Sequence, residues 1–154
     1  MTPEQRLEHL GIILPQAPVP VANYVPWRFA GPMLYLSGQG PKLQDGSYSV
    51  GRLGLTADLA KGYADARLTA LQLLAVAKAA LGELSRIEAV VKLLGMVNAE
   101  ADFSDHPKVI NGCSDLLVEV LGDAGKHARS AIGVGSLPNR MTVEIEAILL
   151  VKPA

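Results

Sequence analysis

The sequence predicts an α+β domain, a mixed β-sheet with two helices packed on one of its faces. Three observations lead there. Residues 126–152, KHARSAIGVGSLPNRMTVEIEAILLVK, hold two alternating segments around a turn-rich connection, Gly135-Ser136-Leu137-Pro138-Asn139-Arg140. Two stretches, Ala57 to Leu81 and one opening at Ser104-Asp105-His106-Pro107, repeat apolar residues at three- and four-residue steps. Between them Ile87 to Val97, IEAVVKLLGMV, is almost continuously apolar, as a strand buried on both faces would be. The order is strands, helix, strand, helix, strand, strand.

The closing pair of segments reads as a hairpin. Successive side chains of a strand point to opposite faces. The first segment therefore sorts into His127, Arg129, Ala131 and Gly133 against Ser130, Ile132 and Val134. The second sorts into Glu144, Glu146, Ile148 and Leu150 against Val143, Ile145, Ala147, Leu149 and Val151. The face of Ser130, Ile132 and Val134, with Val143 to Val151, is expected to meet the core. The other gathers Arg129, Glu144 and Glu146 beside two small residues, Ala131 and Gly133, which leave room for a small ligand. An Arg–Glu pair decorating an exposed sheet face would explain the same pattern with little energetic consequence.

The remaining elements follow in chain order. Thr2 to Leu10 suits a short helix, with Thr2 as N-cap, Pro3 in the first turn and Gly11 ending it. Ile12-Ile13-Leu14 suits a short strand. Pro15, Pro18, Pro20 and Pro26 then forbid regular structure, so this stretch is extended. Its Tyr24 is a candidate pocket wall; equally, Tyr24 and Trp27 could cover an exposed core edge. A strand at Pro32 to Ser37 leaves through Ser37-Gly38-Gln39-Gly40-Pro41. No phosphate-loop or dinucleotide glycine motif is present. Leu43 to Leu55 reads as a loop with a hairpin tip at Asp45-Gly46. The long helix has Thr56 as its N-cap, Asp58, Lys61, Asp65, Thr69 and Gln72 as its polar stripe, and Gly82 as its stop. The second helix turns Val109, Ile110, Cys113, Leu116, Leu117 and Val120 inward and stops at Gly122. Cys113 reads as an inert core residue and His106 as a loop or cap residue.

Composition bounds the function. At 154 residues the chain is expected to be one domain, 1–154, with residues 1–16 as an N-terminal extension. A chain of this size buries about 70% of its unfolded surface and needs no staple. The formal net charge of −1 leaves no basic surplus for phosphates, so nucleic acid is not an expected partner. A single cysteine excludes an internal disulfide, and His9, His106 and His127 show no ligand spacing, so no metal is expected. No leader-like h-region and no bilayer-length apolar run are seen, so a soluble cytoplasmic chain without membrane contact is expected. Two helices cover one sheet face only. Ile148 and Leu150 lie on the other, and further copies of the chain are their simplest cover.

The string ARS, followed by LP and then VEIEA, resembles the C-terminal signature of the RidA/YjgF family of enamine/imine deaminases. The resemblance runs from about Ala17 to Val151 and includes Tyr24, Ser37-Gly38-Gln39, Val90-Val91-Lys92, Asp102-Phe103 and Asn111 in the family's order. It implies the fold of the AroH-type chorismate mutase, a homotrimer with clefts between subunits. It further implies hydrolysis of reactive 2-imino acids to 2-keto acids and ammonia without metal or organic cofactor. Arg129 matches the arginine that holds the substrate carboxylate, and Glu144 the glutamate that positions the attacking water. Tyr24, Ser37 and Asn111 match pocket-lining positions. Many family members carry a cysteine where this chain has Ala131. The stretch around Asp105-His106-Pro107 looks longer than usual. Two other readings fit Arg129: a non-catalytic module binding a small carboxylate metabolite, and another carboxylate-directed enzyme on the same fold.

Overall fold

The computed structural model describes residues 1–19 and 22–154. Its elements are α1 (Pro3–His9), β1 (Trp27–Ala30), β2 (Met33–Gln39), α2 (Leu59–Leu81), β3 (Ile87–Asn98), α3 (His106–Leu121), β4 (Ala128–Val134) and β5 (Val143–Val151). Pro20, counted above in the extended proline stretch, lies outside the described residues. The strands form one sheet in the order β1-β2-β5-β3-β4, antiparallel throughout except for the parallel pair β3 and β4. Leu34, Leu93, Val97, Val143, Ile145 and Leu149 of the sheet share one core with Ala66, Ala70 and Leu73 of α2 and Val109, Ile110 and Cys113 of α3. This is the mixed sheet with a helical layer on one face that the sequence predicts. No helix among the described residues is long and apolar enough to cross a membrane.

The closing segments are not a hairpin. β4 follows α3, and a strand reached through a helix returns parallel to the strand it left, so β4 pairs with β3. β5 then passes over the end of β3 to pair antiparallel on its other side, between β2 and β3. The end of β3 holds this connection, since Ala99 N–H donates to Val134 O (3.4 Å) and Asn98 N–H to Thr142 O (2.9 Å). The correction extends to the faces of β4. Arg129 stands opposite Leu93, and Leu93 opposite Ala147, so Arg129, Ala131 and Gly133 face the helices. Ser130, Ile132 and Val134, expected in the core, lie on the bare face, and Ile132 is 45% exposed.

Smaller differences have local causes. Trp27 to Ala30 form a strand because the turn at Ala30-Gly31-Pro32-Met33, with Gly31 at φ +56°, folds them back on β2. Ile12 to Leu14 form no strand, and Ile13 is 92% exposed. The N-cap of α2 is Asp58, whose side chain accepts from Lys61 N–H (2.8 Å), while Thr56 instead closes the preceding loop onto Arg52 N–H (2.9 Å). Asp65, Thr69 and Gln72 of the expected polar stripe are buried. Asp65 accepts from Thr142 Oγ1 (2.6 Å) and pairs with Lys61 (3.5 Å), tying α2 to the entrance of β5. β3 alternates between buried and partly exposed residues, with Val91 38% exposed, because one face of the sheet carries no helix in this chain.

Thr2 caps α1 as expected, and the structure adds a capping box in which Thr2 and Gln5 exchange bonds, while Leu7 joins the core. The two long helices touch closely. A Cβ at Gly112 would overlap the Tyr63 carbonyl, and Tyr63 Oη–Asp115 (2.6 Å) and a bidentate Arg67–Glu119 pair line the same seam. Gly112→Ala therefore forces the helices apart and is expected to lower stability by about 3 kcal/mol, the upper end for overpacking. Gly135→Ala, where a Cβ meets open space, should stay within about 0.5 kcal/mol of the parent. Urea unfolding of both variants checks the contrast.

Candidate functional site

The predicted site residues separate into two groups, one on each side of the sheet. On the helix side, Arg129 reaches across the edge strand to α3. Its Nη1 donates to Ser114 Oγ (2.9 Å) and its Nη2 to Pro107 O (3.2 Å). Pro107, Asn111 and Ser114 stand four and three residues apart, so they share the face of α3 that looks at β4. Asn111 thus falls between the two anchors of the guanidinium. Two of its five N–H donors are used there, and the other three have no hydrogen-bond partner among the described residues.

The room expected beside Arg129 is partly taken. The space left by the missing Cβ of Gly133 is filled by the His106 ring, which also meets Phe103 edge-on at 5.1 Å. Ala131 packs against the core. Cys113 is fully buried, and burial pushes its thiol up to about 12 although nearby Arg129 pulls the other way, so it stays neutral and inert as expected. Behind Arg129, His127 bonds to Ser114 Oγ (2.9 Å) and to Gly125 O (2.6 Å). Ser114 and the Pro107 carbonyl were not anticipated from the sequence. Their spacing with Asn111 on one helix face, together with the placement of His127 on the Arg129 side of its strand, was the available signal.

On the bare side, Glu144 stands opposite Met96 and Glu146 opposite Leu94. Gly38 lets the sheet approach the first carboxylate: a Cβ there would lie 3.1 Å from Glu144 Cδ. Burial raises the Glu144 pKa, and the charge of Glu146 raises it further. Among the described residues, Glu144, Tyr24, Pro26, Gln39, Tyr48 and Asn139 line one pocket of about 340 Å³. Ser37, expected as a pocket-lining residue, does not itself line that pocket but precedes Gly38, which does. Ser37 Oγ donates to Val25 O (2.7 Å) and its N–H to Pro26 O (3.0 Å), which pins the segment carrying Tyr24 to β2. Tyr24, Ser37 and Glu144 therefore gather on one side of the sheet, and Arg129, Asn111 and Ala131 on the other. One chain does not bring Arg129 and Glu144 together.

The electrostatics of Glu144 can be read directly. A carboxyl whose folded pKa lies above its unfolded value makes stability fall as pH rises through the interval between them. Glu144→Gln is therefore expected to unfold at higher urea than the parent at neutral pH, with the gap closing below the ordinary carboxylate range. Glu146→Gln should lower the Glu144 midpoint seen by ¹³C NMR. A midpoint indifferent to Glu146 would show that burial acts alone.

The family model described as "YjgF/chorismate_mutase-like, putative endoribonuclease" matches residues 4–145. Protein TCP17 of Trypanosoma cruzi is 43% identical over 144 residues, covering 93% of this chain and 90% of that protein. A protein of Shewanella oneidensis described as "a putative endoribonuclease" superposes with a TM-score of 0.94 at 37% identity, covering 98% of this chain and 100% of that one. Escherichia coli TdcF, solved with bound serine, superposes with a TM-score of 0.64 at 26% identity, covering 91% and 98%. With the sheet order, the helical layer and the ARS–LP–VEIEA string in place, these matches make the chain a member of the YjgF/chorismate-mutase-like family.

Proposed function

We propose that this chain hydrolyses reactive 2-imino acids and their enamine tautomers to 2-keto acids and ammonia, in clefts between copies of itself. One observation carries the reading: two complementary half-sites stand on opposite faces of the sheet. A guanidinium is fixed at the β4 edge with donors to spare, and a carboxylate of raised pKa lines a pocket with Tyr24. A homotrimer in which the β4 edge of one copy meets the bare face of the next would join them. Support comes from that face itself, where Tyr35 is 44% and Ile132 45% exposed beside the partly exposed Leu94, Met96, Ile148 and Leu150. The serine bound by TdcF is an amino acid with carboxylate and nitrogen on one carbon, the pattern a 2-imino acid also presents.

In this scheme Arg129 grips the substrate carboxylate with its free N–H donors, a bidentate contact that a planar, permanently charged fork suits. Asn111 lies beside the grip. Glu144 takes a proton from a water as its oxygen bonds to the imine carbon, and the C=N electron pair moves to nitrogen. The carboxyl then returns the proton to nitrogen, giving a carbinolamine; Glu144 next takes the hydroxyl proton and passes it to nitrogen as the C–N bond breaks, so the carbonyl forms and ammonia leaves. A carboxylate raised toward the working pH serves both transfers better than an ordinary one. A module that only binds a carboxylate would keep Arg129 and give Glu144 no chemical role. The endoribonuclease description of relatives is not favoured for this chain, because a net charge of −1 offers few cations to a polyphosphate.

Ammonia release from freshly generated 2-iminobutanoate tests the reading. Arg129→Ala should lose about 10–100-fold in turnover, the equivalent of one charge-assisted bidentate contact, and Arg129→Lys should also be poor. The fold should survive, since Arg129 is half-buried at a sheet edge where water can reach Ser114 and the Pro107 carbonyl. Glu144→Gln should bind 2-oxobutanoate as the parent does and lose about 100-fold in rate. Turnover should persist in chelator. Full activity in Arg129→Ala, or a stable monomer by light scattering, would contradict the proposal.

A further inference from the structure

Behind Arg129 runs a hydrogen-bonded chain that the proposed chemistry does not use: Arg129 Nη1 to Ser114 Oγ (2.9 Å), Ser114 Oγ to His127 Nε2 (2.9 Å), His127 Nδ1 to Gly125 O (2.6 Å). Its hydrogens can be assigned from what each atom is able to do. A carbonyl only accepts, so His127 Nδ1 carries a proton and donates to Gly125 O. A neutral imidazole has one N–H, so Nε2 accepts and the Ser114 hydroxyl donates to it. A guanidinium only donates, and the Ser114 lone pairs receive its Nη1–H. Protonated, Nε2 would donate instead and the Ser114 oxygen would accept from imidazolium and guanidinium together, so the bonds alone permit both forms, and the arrangement above is that of neutral His127.

The surroundings keep His127 in that form. Burial lowers its pKa most and the Arg129 charge lowers it further, while the bond to the Gly125 carbonyl opposes them. The acidic residues of α3 are engaged elsewhere, Asp115 by Tyr63 (2.6 Å) and Glu119 by Arg67 (3.0 Å). Asp123, in the turn before β4, pairs with Lys126 (2.9 Å) and is open to water. The neighbouring Cys113 thiol is uncharged. On β3, Lys92 stands in register with Ala128 and Ile148, on the bare side of the sheet. No carboxylate among the described residues offsets Arg129 at the imidazole.

We infer that Ser114 and His127 are positioning residues for Arg129: neutral His127 orients the Ser114 hydroxyl, and Ser114 with the Pro107 carbonyl fixes the guanidinium so that its remaining donors face the cleft. The inference rests on Arg129 as the carboxylate grip. Protonating His127 reverses its bond to Ser114 and sets a second cation beside Arg129. Its Nε2 must then donate, Ser114 must accept from two cations at once, and the hydroxyl hydrogen is released. The grip is thus ordered above the His127 midpoint and loosened below it.

The test needs no substrate. In ¹⁵N spectra of the ligand-free chain, restricted rotation of the Arg129 guanidinium should give resolved Nη signals at neutral pH. They should broaden as pH falls, with the midpoint of the His127 ring titration. Ser114→Ala should speed Nη rotation about tenfold at neutral pH, the factor for one hydrogen bond of ordinary net strength. His127→Gln offers Ser114 an acceptor that does not titrate, so it should keep the order and remove the pH dependence. Arg129 signals unchanged in Ser114→Ala, or indifferent to the His127 titration in the parent, would overturn the inference. Should the parent show the relay yet release no ammonia from 2-iminobutanoate, the relay stands and the deaminase reading falls.

Discussion

The parallel pairing of β4 with β3 sets the face of the sheet from which Arg129 points. Residues in register across a sheet share a face, and the side-chain period along a strand is two. Arg129 is in register with Leu93 and Leu93 with Ala147, so an odd step along β5 separates the arginine from Glu144. The bond network on the α3 side confirms the direction, since both anchors of Arg129 belong to that helix. A register slip of one residue in β4 would turn Arg129 to the bare face and lose Ser114, Pro107 and His127 together. The division of the site into halves is therefore a consequence of strand order.

The helical layer holds this geometry in place. α3 must lie close to both α2 and the sheet for Pro107, Asn111 and Ser114 to reach β4. Small residues make that possible. Gly112 sits under the Tyr63 carbonyl, Gly62 against Val109, Gly95 under Ile110 and Gly133 under His106. Each lets a larger neighbour come nearer than a Cβ would permit. On the other face, Gly38 does the same for Glu144. The buried carboxylate of Asp65, bonded to Thr142 and Lys61, fixes the start of β5 two residues before Glu144. Structural and functional demands meet in the same few positions.

Much of this was legible in the chain. The helices, the β3 strand and the bare face at Ile148 and Leu150 follow from period, and the closing motif singles out Arg129 and Glu144 as candidates. The facing of β4 did not. Val134 and Val143 are near in sequence and joined by turn-forming residues, which reads as a hairpin. The competing signal was the helix between β3 and β4, which calls for a parallel return, and it governs the structure. Alternation alone could not say which side of β4 meets the core, because Ala131 and Gly133 are as compatible with close helix packing as with an open pocket. The buried polar stripe of α2 escaped for a related reason: Asp65 is bonded by Thr142, distant in sequence, and Thr69 by the Asp65 carbonyl, and no local pattern reports such partners.

In the proposed cleft, Arg129 and Glu144 act on one substrate from different copies of the chain. Subunit complementation measures this directly. Arg129→Ala and Glu144→Gln chains, each nearly inactive alone, are unfolded together, refolded as an equal mixture and assayed for ammonia release from 2-iminobutanoate. Random assembly leaves both groups intact in about one cleft in four, so recovery to roughly a quarter of the parent rate is expected. A mixture no more active than its separate components would contradict it.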